Sequence, residues 1–246
     1  MEEYYKKIYT GSKENFYKIV DKHIKESKKM FIITANPEMF SYCAKDKSIE
    51  KILLDKEVTV VADGIGLVKT AKYFNQKIKE RISGIDISEH LLKLCNAGHN
   101  KIALLGGKQE VIEKLEKQIK GKYPNIRLDK IENGYTDKKD EFFKSIKNSS
   151  VDVILVALGM PEQEKIIYRH YQDFKKGIFI GVGGTFDVLS GYKKRAPKII
   201  QKMNLEWLYR IVKEPKRIKR FYKNNILFLL KVRKESKGKK WWRRHY

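Results

Sequence analysis

Six short apolar runs, each followed by a segment with helical spacing, constrain this chain more than any other feature. Met30–Thr34, Val58–Ala62, Lys101–Leu105, Ile126–Ile131, Val151–Leu158 and Gly177–Val182 read as strands. Most do not alternate apolar with polar, the pattern expected where both faces of a parallel sheet are covered. Between and after them, Glu38–Ala44, Gly66–Phe74, Ser88–Asn96, Gln109–Lys120, Lys139–Lys147 and Gln163–Tyr171 read as helices. This alternation predicts an α/β fold built on a doubly wound, mostly parallel, Rossmann-like sheet. A length of 246 residues with 41% hydrophobic content suits one large domain, or one domain with an appendage.

Charge divides the chain. The net charge is +24, yet residues 191–246 hold 20 Lys and Arg against 3 Asp and Glu, while residues 1–190 hold 34 against 27. The shift near Gly191 predicts an α/β body over 1–190 and a basic, amphipathic helical appendage over 191–246. In that tail, Ile218, Phe221, Tyr222, Asn225, Phe228, Leu229 and Val232 recur at spacings of three and four. Lys216, Lys219, Lys223 and Arg233 lie among or beside them, and Trp241 and Trp242 lie near the end. A lipid headgroup surface takes Lys and Arg beside Leu, Phe and Trp. Nucleic acid and a merely solvated tail are the competing readings, and the membrane surface is favoured.

Apolar stretches fall short of a spanning helix, and Met1-Glu2-Glu3-Tyr4-Tyr5 lacks the apolar centre of a secretory signal. The expectation is a cytoplasmic protein, peripheral on the cytoplasmic face of the membrane. Cys43 and Cys95 have no metal-ligand spacing and are expected as buried free thiols. The apolar face of Gly66–Phe74 belongs either to the core or to a homo-oligomer contact.

Ligands of such sheets bind beyond the carboxyl ends of the strands, which directs attention to five loops. Thr34-Ala35-Asn36-Pro37-Glu38 follows the first strand and Ala62-Asp63-Gly64-Ile65-Gly66 the second. A carboxylate at a strand end serves either as a base toward an acceptor hydroxyl or as a helix cap. Leu105-Gly106-Gly107 leaves room for a phosphate or sugar against the backbone. In Gly159-Met160-Pro161-Glu162-Gln163-Glu164, Gln163 offers both donor and acceptor to a polar ring. Gly181-Val182-Gly183-Gly184-Thr185-Phe186-Asp187 approaches a dinucleotide fingerprint but has Phe186 where the third glycine belongs, which counts against a nicotinamide enzyme. A methyltransferase would share the sheet and glycines. A nucleic-acid-binding module would use the tail but leaves Asp63 and the Gly-x-Pro-x-Gln-Glu turn without purpose. Together the loops suggest a nucleotide-bearing substrate.

These loops, with Arg81-Ile82-Ser83-Gly84-Ile85-Asp86, Gly134-Tyr135, Arg195-Ala196-Pro197, Glu206-Trp207-Leu208-Tyr209-Arg210 and Glu214-Pro215-x-Arg217-x-x-Arg220, resemble the WecG/TagA/CpsF family of glycosyltransferases, in order from about residue 30 to about residue 222. The resemblance implies inverting transfer of an N-acetylmannosamine-type sugar from a UDP-sugar donor to a lipid-linked acceptor, polyprenyl-diphosphate N-acetylglucosamine, in wall teichoic acid or related polymer synthesis. N-acetylmannosaminuronic acid and glucose-type donors are its alternatives. It implies Asp63 as general base, Thr34 and Asn36 as acceptor-positioning residues, and Gln163 with Gly181, Gly183, Gly184, Thr185 and Asp187 at the UDP portion. Gly64, Arg81, Gly106, Gly107 and Gly159 complete the expected substrate-binding set. Arg210, Arg217 and Arg220 would neutralise the leaving diphosphate.

A departing diphosphate needs positive charge from a divalent metal or from protein cations. The chain has no Asp-x-Asp, and His23, His90, His99, His170 and His245 are scattered. The expectation is therefore catalysis by arginines, with no metal and no other cofactor. Membrane binding and leaving-group stabilisation then share one basic segment.

Overall fold

The computed structural model describes residues 1–216, 218, 219 and 222–245, without the side chains of 223, 224 and 237–245. Six strands form one all-parallel sheet: β1 (Lys29–Ala35), β2 (Val58–Ala62), β3 (Lys101–Gly106), β4 (Arg127–Glu132), β5 (Val153–Ala157) and β6 (Gly177–Gly181). Their order across the sheet is β2-β1-β6-β5-β3-β4. Each of the six expected strands is present with bounds shifted by no more than two residues.

Both faces are covered, which explains the unbroken apolar runs. On one face lie α1 (Glu2–Lys7), α3 (Pro37–Cys43), α4 (Lys47–Leu54), α5 (Ile65–Thr70) with a 3₁₀ turn at Ala71–Phe74, α8 (Lys139–Ile146) and α9 (Glu162–Tyr171). They bury Tyr5, Phe40, Leu53, Leu67, Phe143 and Ile167 against it. On the other lie α2 (Lys13–Lys25), α6 (Gly84–Gly98), α7 (Gln109–Lys122) and α10 (Thr185–Leu189), contributing Phe16, Leu91, Leu115 and Phe186. Helix starts follow ordinary capping chemistry: the side chains of Ser12, Asn36, Asp46 and Ser83 each accept a hydrogen bond from an amide of the first turn. Cys43 and Cys95 are buried free thiols, and burial pushes both up to about 12.

The C-terminal segment continues as α11 (Lys198–Lys202), α12 (Glu206–Lys213), a π-helical turn at Tyr222–Ile226 and α13 (Leu227–His245). Its apolar residues divide in a way the spacing did not foresee. Phe228 and Val232, grouped by sequence with a lipid-facing stripe, are buried in the cluster that contains Phe40, and the Phe40 and Phe228 rings meet edge-on with 6.1 Å between centroids, within the range usual for such pairs. Ile218, Tyr222 and Leu229 remain exposed. Phe221 lies outside the described residues. No helix among the described residues is long and apolar enough to cross a membrane.

Candidate active site at the carboxyl edge of the sheet

The β1–β2 register pairs Ala35 with Ala62, and the Asp63 amide extends the ladder by donating to the Ala35 carbonyl at 2.8 Å. This places Asp63 at the strand end beside the Asn36 loop. Gly64 follows because a Cβ there would sit 2.9 Å from Pro37 Cδ. The segment carrying Arg81 runs alongside, pinned by the Ile82 amide to the Ala62 carbonyl at 2.8 Å. Arg81 Nε and Nη2 each lie 3.1 Å from Oδ1 of Asp63, and Nε donates at 2.6 Å to the Asp63 carbonyl.

Arg81 also reaches into the C-terminal segment, Nη1 donating at 2.6 Å to Oε2 of Glu206 in the first turn of α12. Glu206 Oε1 accepts from Arg195 Nε at 3.3 Å, and Arg195 continues to Asp86 and, at 3.2 Å, to Glu89. Lys13 stands 3.8 Å from Asp86. Burial raises the Glu206 carboxyl, but the hydrogen bonds and charges of Arg81 and Arg195 more than offset this and hold it below the usual range. A continuous ionic chain thus joins Asp63 to residues 195–206.

The other expected residues fall along the same edge. The Thr34 hydroxyl faces the Gly181 carbonyl at 3.4 Å, next to Gly84. Asn36 caps α3, its side-chain oxygen accepting from the Met39 amide at 3.1 Å. Gly106, at φ +129°, packs so closely on β5 that a Cβ would lie 2.4 Å from the Ala157 carbonyl oxygen. The Gly107 amide donates to that oxygen at 3.1 Å. Asp187 pairs with Lys193 at 2.9 Å, which also meets Glu214 at 3.2 Å. The Thr185 hydroxyl donates to the Val182 carbonyl. Arg210 is exposed one turn beyond Glu206, whereas Arg217 and Arg220 lie outside the described residues. Tyr135, absent from the residues singled out for binding, is 77% exposed in the loop after β4. The Gly134 amide donates at 2.8 Å to the Gly107 carbonyl, so that loop abuts Gly106-Gly107.

Gln163 is buried and braces two loops. Its Oε1 accepts from the amides of Gly159, at 3.2 Å, and Gly183, at 3.0 Å, while Nε2 donates to Glu164 Oε1 at 2.7 Å. A Cβ on Gly181 would lie 2.5 Å from Nε2, so glycine there makes room for the brace. By contrast, a Cβ on Gly159, Gly183 or Gly184 meets no atom within 4 Å. The backbone of these two loops therefore borders open space, where a ligand can approach the main chain.

Glu164 is buried, and among the described residues its Oε2 has no hydrogen-bond partner. Burial pushes its carboxyl up to about 7 from an ordinary 4.5. The folded protein therefore holds this proton more tightly than the unfolded chain. The site's contribution to stability is fully present below about pH 4.5 and lost as pH rises through about 7, a loss on the order of 3 kcal/mol at most. Thermal unfolding checks this: between pH 4.5 and 8 the wild-type midpoint should fall by several degrees more than that of Glu164→Gln. Parallel pH dependence of the two proteins refutes it.

An α/β protein with an aspartate just past the end of β2 and open glycine loops after β5 and β6, on the sheet edge where ligands of such folds bind, is the class that this fold and edge define. The chain belongs to the glycosyl transferase WecG/TagA/CpsF family, whose model matches residues 6–241. It is 38% identical over 209 residues to an N-acetylglucosaminyldiphosphoundecaprenol N-acetyl-beta-D-mannosaminyltransferase of Staphylococcus aureus (strain MW2), covering 85% of this chain and 81% of the relative. A protein of the same description from Bacillus subtilis (strain 168) is 36% identical over 227 residues, 92% of this chain and 88% of the relative.

Proposed function

We propose that this enzyme transfers N-acetylmannosamine from its UDP-linked form to N-acetylglucosamine carried on undecaprenyl diphosphate, in the synthesis of wall teichoic acid or a related surface polymer. The observation that carries the mechanism is Asp63, fixed at the end of β2 with one carboxylate oxygen held by Arg81. The names of the relatives support the donor and acceptor. The acceptor hydroxyl gives its proton to Asp63 as its oxygen attacks the anomeric carbon from the face opposite UDP. The bond from that carbon to the diphosphate oxygen breaks, the electron pair leaves with UDP, and the anomeric centre inverts. Gly159, Gly183 and Gly184 offer main chain to the donor, and Thr34 lines the acceptor side. Thr185 and Asp187 brace the loop after β6 through the Val182 carbonyl and Lys193.

Cations balance the charge of departing UDP. Arg210 is the described candidate, and Arg217 and Arg220 are the others. The lipid-linked acceptor requires approach to a bilayer. Exposed Ile199, Met203, Val212 and Leu230, interspersed with Lys198, Lys202, Lys213 and Lys231, support peripheral attachment at the cytoplasmic membrane face. A transfer assay with several UDP-sugars and a lipid-diphosphate N-acetylglucosamine acceptor tests the reading. UDP-N-acetylmannosamine should be the preferred donor, with turnover unchanged by chelator. Preference for a uronic acid or glucose-type donor overturns the sugar assignment, and loss of turnover on chelation overturns metal independence.

A further inference from the structure

A guanidinium facing a carboxylate ordinarily takes it as a fork, one nitrogen to each oxygen. Arg81 does not do this to Asp63. Its Nε and Nη2 converge on Oδ1, and Nε is also tied to the Asp63 carbonyl. Among the described residues, Oδ2 has one long contact, 3.5 Å from the Gly84 amide. The remaining nitrogen, Nη1, is held at 2.6 Å by Glu206, which is 4% exposed and fixed in turn by Arg195. The motif Glu206-Trp207-Leu208-Tyr209-Arg210 therefore contributes a buried anion at the site as well as the cation at its end.

We propose that Glu206 is a positioning residue for the transfer reaction: by holding Arg81 through Nη1 it keeps the guanidinium on Oδ1 of Asp63 and leaves Oδ2 to take the proton of the acceptor hydroxyl. The proposal rests on Asp63 being the base. Without the Glu206 charge, the bond from Nε to the Asp63 carbonyl is what remains among the described residues to oppose rotation of Arg81 into a fork over both oxygens. A carboxylate gripped on both oxygens is a poorer base, because the guanidinium then stabilises the charge on the oxygen that faces the acceptor as well as on the other. The other charged groups around this pair, Lys13, Asp86, Glu89 and Arg195, are unchanged by a substitution at 206.

The test compares full-length wild type with Glu206→Gln and Glu206→Asp. It measures kcat and KM for the lipid-linked acceptor, UDP affinity, unfolding midpoint and the pH dependence of kcat/KM. For Glu206→Gln, kcat should fall about tenfold or more with UDP affinity unchanged, and the acid limb of the profile should move to lower pH by about one unit. Glu206→Asp, which keeps the charge, should return the limb to its wild-type position. If Glu206→Gln does not fold, Glu206→Ala opens the same fork without a buried amide to satisfy, and the same shift is expected. An acid limb that stays in place in the folded variant overturns the proposal, because Glu206 then only clamps the C-terminal segment. Turnover retained in Asp63→Asn overturns the reading of the base itself, and the proposal with it.

Discussion

Asp63→Asn should lower kcat by about a thousandfold while leaving the affinity for UDP-N-acetylmannosamine within a factor of two or so. A positioned base contributes roughly 10²–10⁴ in rate, and an amide cannot accept the proton. The near-isosteric side chain still takes a hydrogen bond from Arg81 at the Oδ1 position, so the ionic chain loses one charge but keeps its shape. Donor affinity is the discriminating measurement. The main chain proposed to meet the donor lies after β5 and β6, whereas Asp63 follows β2, on the far side of β1 in the sheet. Calorimetry with the nucleotide sugar, beside single-turnover transfer, reads both quantities. Loss of donor binding with little change in the chemical step would move Asp63 to the donor site.

Replacing Ile199, Met203 and Val212 together by Asp should weaken binding to anionic vesicles at least about a hundredfold. Each of these side chains is well exposed, at 73%, 61% and 69%. Inserting even part of such a side chain among acyl chains is worth about 1 kcal/mol or more, and each added carboxylate is repelled by acidic lipid. Transfer to a short-chain, water-soluble acceptor should be retained, because none of the three reaches the Asp63–Glu206 network. Flotation with phosphatidylglycerol vesicles, run beside that soluble assay, separates address from chemistry. Unchanged flotation would remove α11 and α12 from the membrane reading. Ending the chain at Gly191 is a blunter instrument than charge distribution alone suggests. It removes Arg195 and Glu206 from the ionic chain and takes away the Phe228 ring that meets Phe40.

The strands and the crossover helices were legible because burial on both sheet faces leaves long apolar runs with little polar interruption. α2 and α4 were not among the elements read from sequence. Their buried positions, Phe16 and Val20 in one, Ile49, Ile52 and Leu53 in the other, are diluted by lysines and glutamates on the solvent side. The strand-end loops were also legible, since aspartate and glycine after an apolar run are local signals. What those residues touch was not. Gln163 reads as a ligand contact by its chemistry, yet its amide is engaged with Gly159, Gly183 and Glu164, all brought to it by the fold. Glu206 opens a motif that the sequence shows, but nothing there says what its carboxylate touches. Only the approach of α12 to Arg81, across 125 positions of chain, gives it a role. Likewise Phe228 and Val232 share the spacing of their exposed neighbours, and periodicity cannot say which side of a helix meets protein and which faces outward.

One oxygen atom, Oε1 of Gln163, accepts from the loop after β5 and from the loop after β6. Neither loop can then gain or lose a residue without pulling its amide off the shared acceptor, so both are locked in length. Insertions that reshape what this edge recognises have freer scope in the turn after β4 beyond the Gly134 amide that ties it to Gly107, where Tyr135 stands in solvent.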